Sequence, residues 1–174
     1  MADRVVLVGM MGVGKTTVGR ALAARLGWRF LDSDAMVEES TGSTVAELFA
    51  SRGEDAFRAE ETRALAEALS ADGPAVVSAA GGSVLTPENR SLLSGVGAVV
   101  WLRADPATLA ARIGTGEGRP LLADDPATAL AELDAVRRPH YGEVADVIVD
   151  VDDLDPPTVV DRILAATAFA RSIG

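Results

Sequence analysis

Residues 9–16 read Gly-Met-Met-Gly-Val-Gly-Lys-Thr and fit the pattern G-x-x-x-x-G-K-[ST] at every fixed position, which strongly limits the fold of this chain. In such a loop the glycines let backbone N–H groups converge on phosphate oxygens. The lysine, here Lys15, reaches the β- and γ-phosphates, and the hydroxyl of Thr16 can ligate Mg²⁺. An apolar run at residues 5–8 precedes the loop and apolar residues at helical spacing follow it. We therefore expect a strand, the loop and a helix whose N-terminus faces the phosphates.

Lys15 is the only lysine of the chain, although lysine and arginine together number 16. The alternative interpretation of the loop is a glycine-rich turn that binds no ligand. A general bias toward arginine explains why other lysines are missing, but it does not explain why the one exception stands at the phosphate-binding position. The loop therefore indicates a bound nucleotide. The residues expected to contact its phosphates are Gly12, Val13, Gly14, Lys15, Thr16 and Thr17.

Composition excludes several classes of function. The net charge of −10 and the isoelectric point near 4.5 disfavour nucleic-acid binding through a basic face. The chain has no cysteine and a single histidine, His140, which excludes thiol catalysis, disulfides and multi-histidine metal sites. No apolar run approaches the roughly 20 residues of a membrane helix, and the first strand begins too early to leave room for a signal peptide. We expect a cytoplasmic monomer without nucleic-acid or membrane partners.

The order of apolar runs predicts an α/β fold. Strand-like runs occur at 5–8, 29–31, 75–79, 98–102 and 147–149, with helical patterns between them. This alternation predicts a central five-stranded parallel sheet with helices on both faces, that is, a three-layer α/β/α fold. Prolines at positions typical of a first helical turn predict helix starts near 106, 126 and 156. Thr44 and Glu47 have the spacing of a capping box.

We expect a single domain, 1–174, with two insertions on its core. The core comprises residues 1–32, 63–111 and 125–174. Residues 33–62 form a helical insertion that binds the substrate. Residues 112–124, with three glycines before Arg119, form a mobile lid, the alternative being an idle surface loop.

Asp32 and Asp34 follow the second strand, at the end where open parallel sheets bind ligands. Phosphoryl transfer needs a carboxylate near Mg²⁺, and often another that accepts the proton of the attacking hydroxyl. Side chains two residues apart in an extended segment share a face, so both can point into one cleft. The alternative is an Asp N-cap of a helix that starts at Ala35, and Asp34 can be that cap and functional too.

Arg58 and Glu61 form a second candidate pair. Glu61 lies on an otherwise apolar helical stripe, and a carboxylate in such a position needs a partner. Arg58, three residues earlier, can reach it and present its guanidinium to a substrate anion. The alternative is an ordinary surface ion pair.

Three further segments contain candidate binding residues. Gly81 and Gly82 end a buried strand and can bring backbone N–H groups close to a ligand, or they form a simple turn. Arg112 and Arg119 flank the lid, where an arginine can stabilise charge on a transferring phosphate. The sequence predicts that a helix ends near Arg137. A charge that compensates the helix dipole is therefore the alternative to a role of Arg137 in ligand binding. His140 is interpreted as a surface or packing residue.

Taken together, these motifs resemble the shikimate kinase family, part of the P-loop kinase superfamily and related to nucleoside monophosphate kinases. The resemblance covers roughly residues 4–166 and includes the phosphate loop and the D-x-D motif at 32–34. It also includes G-E-x-x-F-R-x-x-E at 53–61, R-P-L-L at 119–122 and R-x-P-x-Y at 137–141. One position departs from the family, because Ala80 stands where the first of three glycines is usual, and its methyl group either crowds the ring pocket or tightens the packing.

The resemblance implies a catalytic group of Lys15, Asp34 and Arg119. Lys15 and Thr16 would hold phosphates and Mg²⁺. Asp32 would reach Mg²⁺ through water, and Asp34 would bind substrate hydroxyls as a candidate base. Arg119 would bridge substrate and nucleotide when the lid closes.

The resemblance also implies how the two substrates bind. Arg58 and Arg137 would clamp the carboxylate of shikimate, and Gly81 and Gly82 would give backbone contacts. Further roles follow for Phe49 and Phe57, which would shape the ring pocket, for Arg112 and Pro156, which would sandwich the adenine, and for Ser78 near the water shell of the metal.

The implied activity is transfer of the γ-phosphate of ATP, with Mg²⁺, to the 3-hydroxyl of shikimate in aromatic amino-acid synthesis. Alternatives are a kinase for a sugar acid such as gluconate, or for an aminated relative of shikimate. An ATP-binding module without transfer activity is a third possibility. A GTPase is disfavoured because the guanine-reading N-K-x-D motif needs a second lysine.

Overall fold

A parallel sheet of five strands organises the chain. The computed structural model describes residues 3–114 and 125–173. The strands are β1 Arg4–Val8, β2 Arg29–Asp32, β3 Ala75–Ser78, β4 Ala98–Arg103 and β5 Val147–Asp150. They lie in the order β2-β3-β1-β4-β5, and each neighbouring pair is parallel. Each strand-like run of the sequence falls on one of these strands, which confirms the predicted sheet.

Helices cover the sheet and join its strands. They are α1 Lys15–Leu26, α2 Ser33–Thr41, α3 Val45–Ser70, α4 Pro87–Leu93, α5 Pro106–Ile113, α6 Pro126–Val144 and α7 Pro156–Ile173. Helix α1 packs against α7, whereas α4 packs against α3 and α6. This is the predicted α/β/α arrangement. The predicted helix starts at Pro106, Pro126 and Pro156 are confirmed, as is the capping box of Thr44 and Glu47 at the start of α3.

The central strand of the sheet, β1, is buried. Every residue of β1 is buried, because parallel strands covered on both faces have no solvent-facing side. The phosphate loop directly follows the carboxyl end of β1, at Val8. Because β1, β2 and β3 are parallel, the carboxyl ends of β2 and β3, at Asp32 and Ser78, lie on the same side of the sheet. Asp32 is paired in register with Ser78, and Leu7 with the same serine.

The segment between β2 and β3 has a small hydrophobic cluster of its own. It comprises Val37, Leu48, Phe57 and Ala64, and it meets the main core through Met36. Helix α3 bends within this segment at Gly53, whose φ of 81° lies outside the helical region. Glycine adopts that conformation with little cost, so the bend occurs where the chain can best accommodate it. Among the described residues no helix is long and apolar enough to cross a bilayer.

Candidate active site

The phosphate loop has the backbone that its glycines predict. Gly9, Gly12 and Gly14 all have positive φ, and α1 begins at Lys15 directly after Gly14. Gly9 also lies against β4, where a Cβ would stand 2.5 Å from the carbonyl oxygen of Leu102. The ammonium of Lys15 donates to the carbonyl oxygens of Gly9 at 2.7 Å and Met10 at 3.0 Å. The sole lysine therefore lies across its own loop, at the N-terminus of α1.

Asp32 connects the phosphate loop to the end of β2. The hydroxyl of Thr16 donates to Oδ2 of Asp32 at 3.0 Å. The other carboxylate oxygen accepts from the backbone N–H groups of Asp34 and Ala35, so Asp32 is the N-cap of α2. An aspartate caps this helix as the alternative expects, but the cap is Asp32 and not Asp34, and α2 begins at Ser33 and not at Ala35. An Asp at the cap satisfies two otherwise unpaired N–H groups, which explains the earlier start.

The oxygens of Thr16 and Asp32 suit a magnesium ion. Mg²⁺ keeps several waters and is held by one or two protein oxygens together with substrate phosphates. A hydroxyl and a carboxylate oxygen 3.0 Å apart beside the phosphate loop meet that requirement. The described residues contain no group of three or more His, Asp or Glu side chains that would hold a metal without a nucleotide.

A cleft of about 270 Å³ opens beside the loop. It brings together residues that the sequence predicts for the nucleotide, the metal and the reacting hydroxyl. Its lining comprises Met11, Gly12, Gly14, Lys15, Thr16, Thr17, Asp32, Asp34, Ser78 and Gly81. Asp34 and Lys15 thus face one cavity, as transfer between two bound substrates requires.

Arg58 is held beside this cleft by Glu61. Its Nη1 lies 2.6 Å from one carboxylate oxygen of Glu61 and 3.1 Å from the other, and its Nη2 lies 3.5 Å from Glu54. The side chain of Glu61 is 1% exposed and that of Arg58 16% exposed. The alternative of an ordinary surface ion pair is therefore wrong. Burial raises the pKa of Glu61, while the charge and the hydrogen bond of Arg58 act in the opposite direction.

The guanidinium of Arg58 also packs closely against Gly82. A Cβ on Gly82 would stand 2.8 Å from both Cζ and Nη2 of Arg58, with Nη1 closer still. The ring of Phe57 lies under the same guanidinium, with Cζ 5.4 Å from its centroid. The rings of Phe49 and Phe57 are 6.0 Å apart at 56°. The two aromatic residues expected at the ring pocket therefore lie next to Arg58.

Arg137, which belongs to α6, reaches the corner that Gly81 and Gly82 form next to Arg58. It is 1% exposed, and its Nε and Nη1 have no hydrogen-bond partner. A Cβ on Gly81 would stand 3.2 Å from Nη1 of Arg137, 3.4 Å from the carbonyl oxygen of Gly9 and 3.5 Å from the N atom of Met11. Gly81 is thus in contact with Arg137 and with the phosphate loop at once, and Arg58 is next to it at Gly82.

Helix α6 continues through Pro139 to Val144, so the prediction that it ends near Arg137 is wrong. The interpretation of Arg137 as a compensating charge at a helix end fails with it. The buried positions of α6 are Leu130, Asp134, Arg137 and Tyr141. This spacing of three and four residues forms one helix face. Arg137 is therefore turned inward by the same periodicity that buries Leu130.

The outer side of the phosphate loop has a second pocket of about 200 Å³. Arg112 and Pro156, both expected at the adenine, lie in its lining with Gly12, Val13, Gly14, Thr17, Val18, Val151, Leu154 and Val159. Arg112 donates to the carbonyl oxygens of Val151 and Asp152, which fixes its guanidinium beside the start of α7. The pocket is largely apolar and suits the flat face of a base.

Three further expectations concern Arg119 with the lid, Ala80 and His140. Arg119 and the predicted lid beyond residue 114 lie outside the described residues, so their expected role stays a prediction. Ala80 is 5% exposed and has no positive φ, and the choice between a crowded ring pocket and tighter packing at its methyl group stays a prediction. His140 lies outside the lining of both clefts, 3.6 Å from Glu143.

Sequence reasoning assigns no role to two residues that support the site, Ser33 and Tyr141, although Tyr141 belongs to the R-x-P-x-Y motif. Ser33, fully buried, accepts from the backbone N–H of Ala80 at 2.9 Å and so ties the start of α2 to the end of β3. The hydroxyl of Tyr141, the only tyrosine, donates to the carbonyl oxygen of Gly81 at 2.5 Å. Tyr141 follows Arg137 by four residues, and that spacing was a signal that the two share a helix face. No comparable signal marks Ser33.

The chain is similar to known proteins over nearly all of its length. A family model described as "Shikimate kinase" matches residues 11–168. A shikimate kinase of Frankia casuarinae is 48% identical over 162 residues, which cover 93% of this chain and 71% of that protein. One of Symbiobacterium thermophilum is 46% identical over 164 residues, which cover 92% and 93%. The structure of a shikimate kinase from Acinetobacter baumannii in complex with shikimate superposes with a TM-score of 0.90 at 37% identity, covering 94% of this chain and 92% of that one.

Proposed function

The chain belongs to the shikimate kinase family, and we propose that it transfers the γ-phosphate of ATP to the 3-hydroxyl of shikimate across the corner formed by Gly81 and Gly82. It is an ATP-dependent phosphotransferase of the shikimate pathway. One observation supports the assignment of the site more than any other. Gly81 lines the cleft of Lys15 and also lies against Arg137, so a phosphate group and an organic acid bound there are neighbours.

Nucleotide binding falls to the loop and the outer pocket. Backbone N–H groups of residues 12–17 and the ammonium of Lys15 bind the phosphates. Arg112 and Pro156 hold the adenine between them, as their common pocket suggests. Two glycines of the loop are packed against the core, Gly9 against Leu102 of β4 and Gly12 against Ile113 of α5, which restrains the loop. A restrained loop orients the γ-phosphate at a lower ordering cost.

The acid is held by the two arginines. Arg58 and Arg137 bind the carboxylate of shikimate, and the unpaired Nε and Nη1 of Arg137 are donors that an anion would satisfy. Phe49 and Phe57 contact the ring. Asp34, in the same cleft as Lys15, orients the 3-hydroxyl and accepts its proton. Arg119 would bridge the acid and the nucleotide when the lid closes.

Thr16 and Asp32 would hold Mg²⁺ next to the phosphates. When bound, this ion neutralises phosphate charge, which is its usual contribution to phosphoryl transfer. Thr16 would supply its hydroxyl oxygen and Asp32 its carboxylate, directly or through water. The backbone N–H groups of Asp34 and Ala35 donate to Asp32 and keep its carboxylate oriented toward Thr16.

We also propose that the protein acts as a cytoplasmic monomer with a single domain of residues 1–174. The core would comprise residues 1–32, 63–111 and 125–174. The insertion at 33–62 would bind the acid and the segment 112–124 would serve as the lid. Arg58 and Arg137, which would bind the acid, lie against Gly82 and Gly81 of the same chain, and this supports a site built by one copy.

A coupled assay tests the function directly. ATP consumption is measured with Mg²⁺ and shikimate, and in parallel with gluconate and an aminated shikimate analogue. We expect turnover with shikimate that disappears when Mg²⁺ is chelated and falls sharply in Lys15→Ala. Turnover with gluconate or the aminated analogue but not with shikimate would refute the proposal in favour of a related kinase. ATP binding without transfer to any acid would indicate a module that only binds nucleotide.

A further inference from the structure

Tyr141 and Arg137 meet the acid-binding corner at the same glycine. The hydroxyl of Tyr141 donates to the carbonyl oxygen of Gly81 at 2.5 Å. Arg137, one helical turn earlier on the same buried face of α6, places its Nη1 3.2 Å from where a Cβ on Gly81 would stand. Burial raises the pKa of Tyr141 and outweighs the opposing charge of Arg137, so the hydroxyl keeps its proton and remains a donor.

The hydrogen bond fixes more than one carbonyl group. The carbonyl of Gly81 and the N–H of Gly82 belong to one planar trans peptide, in which the two groups point in opposite directions. With the carbonyl held on Tyr141, the N–H of Gly82 points away from the tyrosine. The Gly81–Gly82 peptide lies at the centre of a turn that the bond from the N–H of Ser83 to the carbonyl oxygen of Ala80 closes. Because glycines accept either orientation of such a central peptide, the hydrogen bond from Tyr141 selects the direction in which the N–H of Gly82 points.

The tyrosine ring itself has little freedom. It is fully buried and stacks at 5.6 Å and 35° against Trp101 of β4. Trp101 in turn lies under the guanidinium groups of Arg103 and Arg138, at 5.4 and 5.5 Å from its ring. The hydroxyl of Tyr141 is thus presented to Gly81 from a ring that the central sheet holds in place.

We propose that Tyr141 is a positioning residue for acid binding, which orients the Gly81–Gly82 peptide and the guanidinium of Arg137 so that both face the carboxylate and ring of the acceptor. The inference rests on the proposed function. It assigns no part in nucleotide binding to Tyr141, because the adenine pocket lies on the other side of the phosphate loop.

The test compares Tyr141→Phe with Thr167→Val. Each variant loses one buried hydroxyl that donates to a backbone carbonyl, but that of Thr167 bonds to Ile163 within α7, away from the acid site. We expect Tyr141→Phe to raise KM for shikimate roughly fivefold, as for loss of one hydrogen bond, and to leave KM for ATP unchanged. Thr167→Val should change neither KM.

A double-mutant cycle separates positioning from general weakening of the fold. If Tyr141 acts through Arg137, the effects of Tyr141→Phe and Arg137→Lys on shikimate binding are not additive. Additive effects, an unchanged KM for shikimate in Tyr141→Phe, or an equal rise of both KM values would overturn the proposal. Absence of shikimate turnover in the wild-type protein would instead contradict the proposed function.

A second measurement does not depend on the folding of a variant. Because Tyr141 is the only tyrosine, growth with 3-fluorotyrosine introduces fluorine at a single site. We expect its ¹⁹F resonance to move when shikimate saturates the protein and to stay in place with ADP alone. A resonance that shikimate does not move would refute the role of Tyr141 in the acid site.

Discussion

The guanidinium of Arg58 occupies the space that a side chain at Gly82 would need. A Cβ at that position would stand 2.8 Å from Cζ and from Nη2, a separation that Cβ atoms do not adopt without movement of a neighbour. The φ of Gly82 is −88°, which any residue adopts, so the backbone does not require glycine here. The requirement comes from the arginine, and this makes Gly82 a sensitive position for testing the acid site.

We predict that Gly82→Ala raises KM for shikimate about tenfold, because the methyl group displaces Arg58 from the acid and a charged hydrogen bond contributes about 1.5–3 kcal/mol. The fold should be retained, since the obstacle is the end of a flexible side chain. Steady-state kinetics with each substrate varied in turn provide the measurement, and KM for ATP should not change. Gly142→Ala is the matched control, because a Cβ there meets no atom closer than 4.0 Å. Equal KM values for shikimate in the two variants would show that Arg58 does not bind the acid.

Glu61 predicts a specific dependence of stability on pH. Burial raises its pKa above the ordinary 4.5, so the folded chain binds the proton more tightly than the unfolded chain. Its contribution to the free energy of unfolding is fully present below pH 4.5 and is lost as pH rises through the raised pKa. We expect the difference in this free energy between wild type and Glu61→Gln to decrease over that interval, as measured by urea denaturation from pH 4 to 7. A difference that does not vary with pH would contradict the assigned shift.

The single lysine predicts selective chemical modification. An amine-directed acylating reagent should modify the side chain of Lys15, apart from the N-terminal amino group, because no other lysine exists. Bound ATP should protect Lys15, and modification should remove transfer activity. Peptide mapping by mass spectrometry measures both sites, and the N-terminal amine serves as the internal control. Modification of Lys15 that proceeds at the same rate with saturating ATP would argue against its contact with the phosphates.

The turnover of Lys15→Arg provides a companion prediction. Arginine keeps the charge but presents a planar fork in place of a compact ammonium group, which two carbonyl oxygens of the loop surround in this structure. We expect kcat to fall about 100-fold, in the range for loss of one oriented donor at a developing charge. Rapid-quench measurement of the first turnover tests whether the transfer step itself is slowed. A first turnover at the wild-type rate would show that the substitution slows product release and not the transfer step.

Arg112→Ala should weaken nucleotide binding while sparing the acid. The guanidinium lines the outer pocket and bonds to the carbonyl oxygens of Val151 and Asp152, so its removal opens one wall. We predict about a tenfold rise of Kd for ADP, measured by titration calorimetry, with unchanged Kd for shikimate. Arg25→Ala is the control, since Arg25 forms an exposed pair with Asp161 on α1 and α7. A similar loss of ADP affinity in the control would point to net charge as the cause.

Most of the fold could be predicted from the sequence because its signals are local. Apolar runs mark the strands, and prolines at Pro106, Pro126 and Pro156 mark helix starts. The end of α6 was predicted wrongly for a local reason too, since Pro139 favours termination of a helix. The helix nevertheless continues past Pro139, and Tyr141 beyond it is fully buried against Trp101 of β4.

The site could be predicted only in part, because its contacts join distant segments. Glu61 was recognisable as a carboxylate on an apolar stripe, and its partner Arg58 was within reach on the same helix. The bond from Ala80 to Ser33 spans 47 residues, and nothing in the local sequence marks it. The contact between Gly82 and Arg58 likewise depends on how α3 packs against the turn that follows β3, which periodicity alone does not determine.

The small cluster of Val37, Leu48, Phe57 and Ala64 has a consequence for how such kinases diversify. These side chains stabilise the acceptor-facing insertion largely by themselves and meet the main core through Met36. Substitutions at the side chains of this cluster therefore act first on the acceptor side and only through Met36 on the main core. A lineage can retune part of its acceptor site there while it inherits the donor half, whereas Arg137, Gly81 and Gly82 belong to the core and restrict which acids fit.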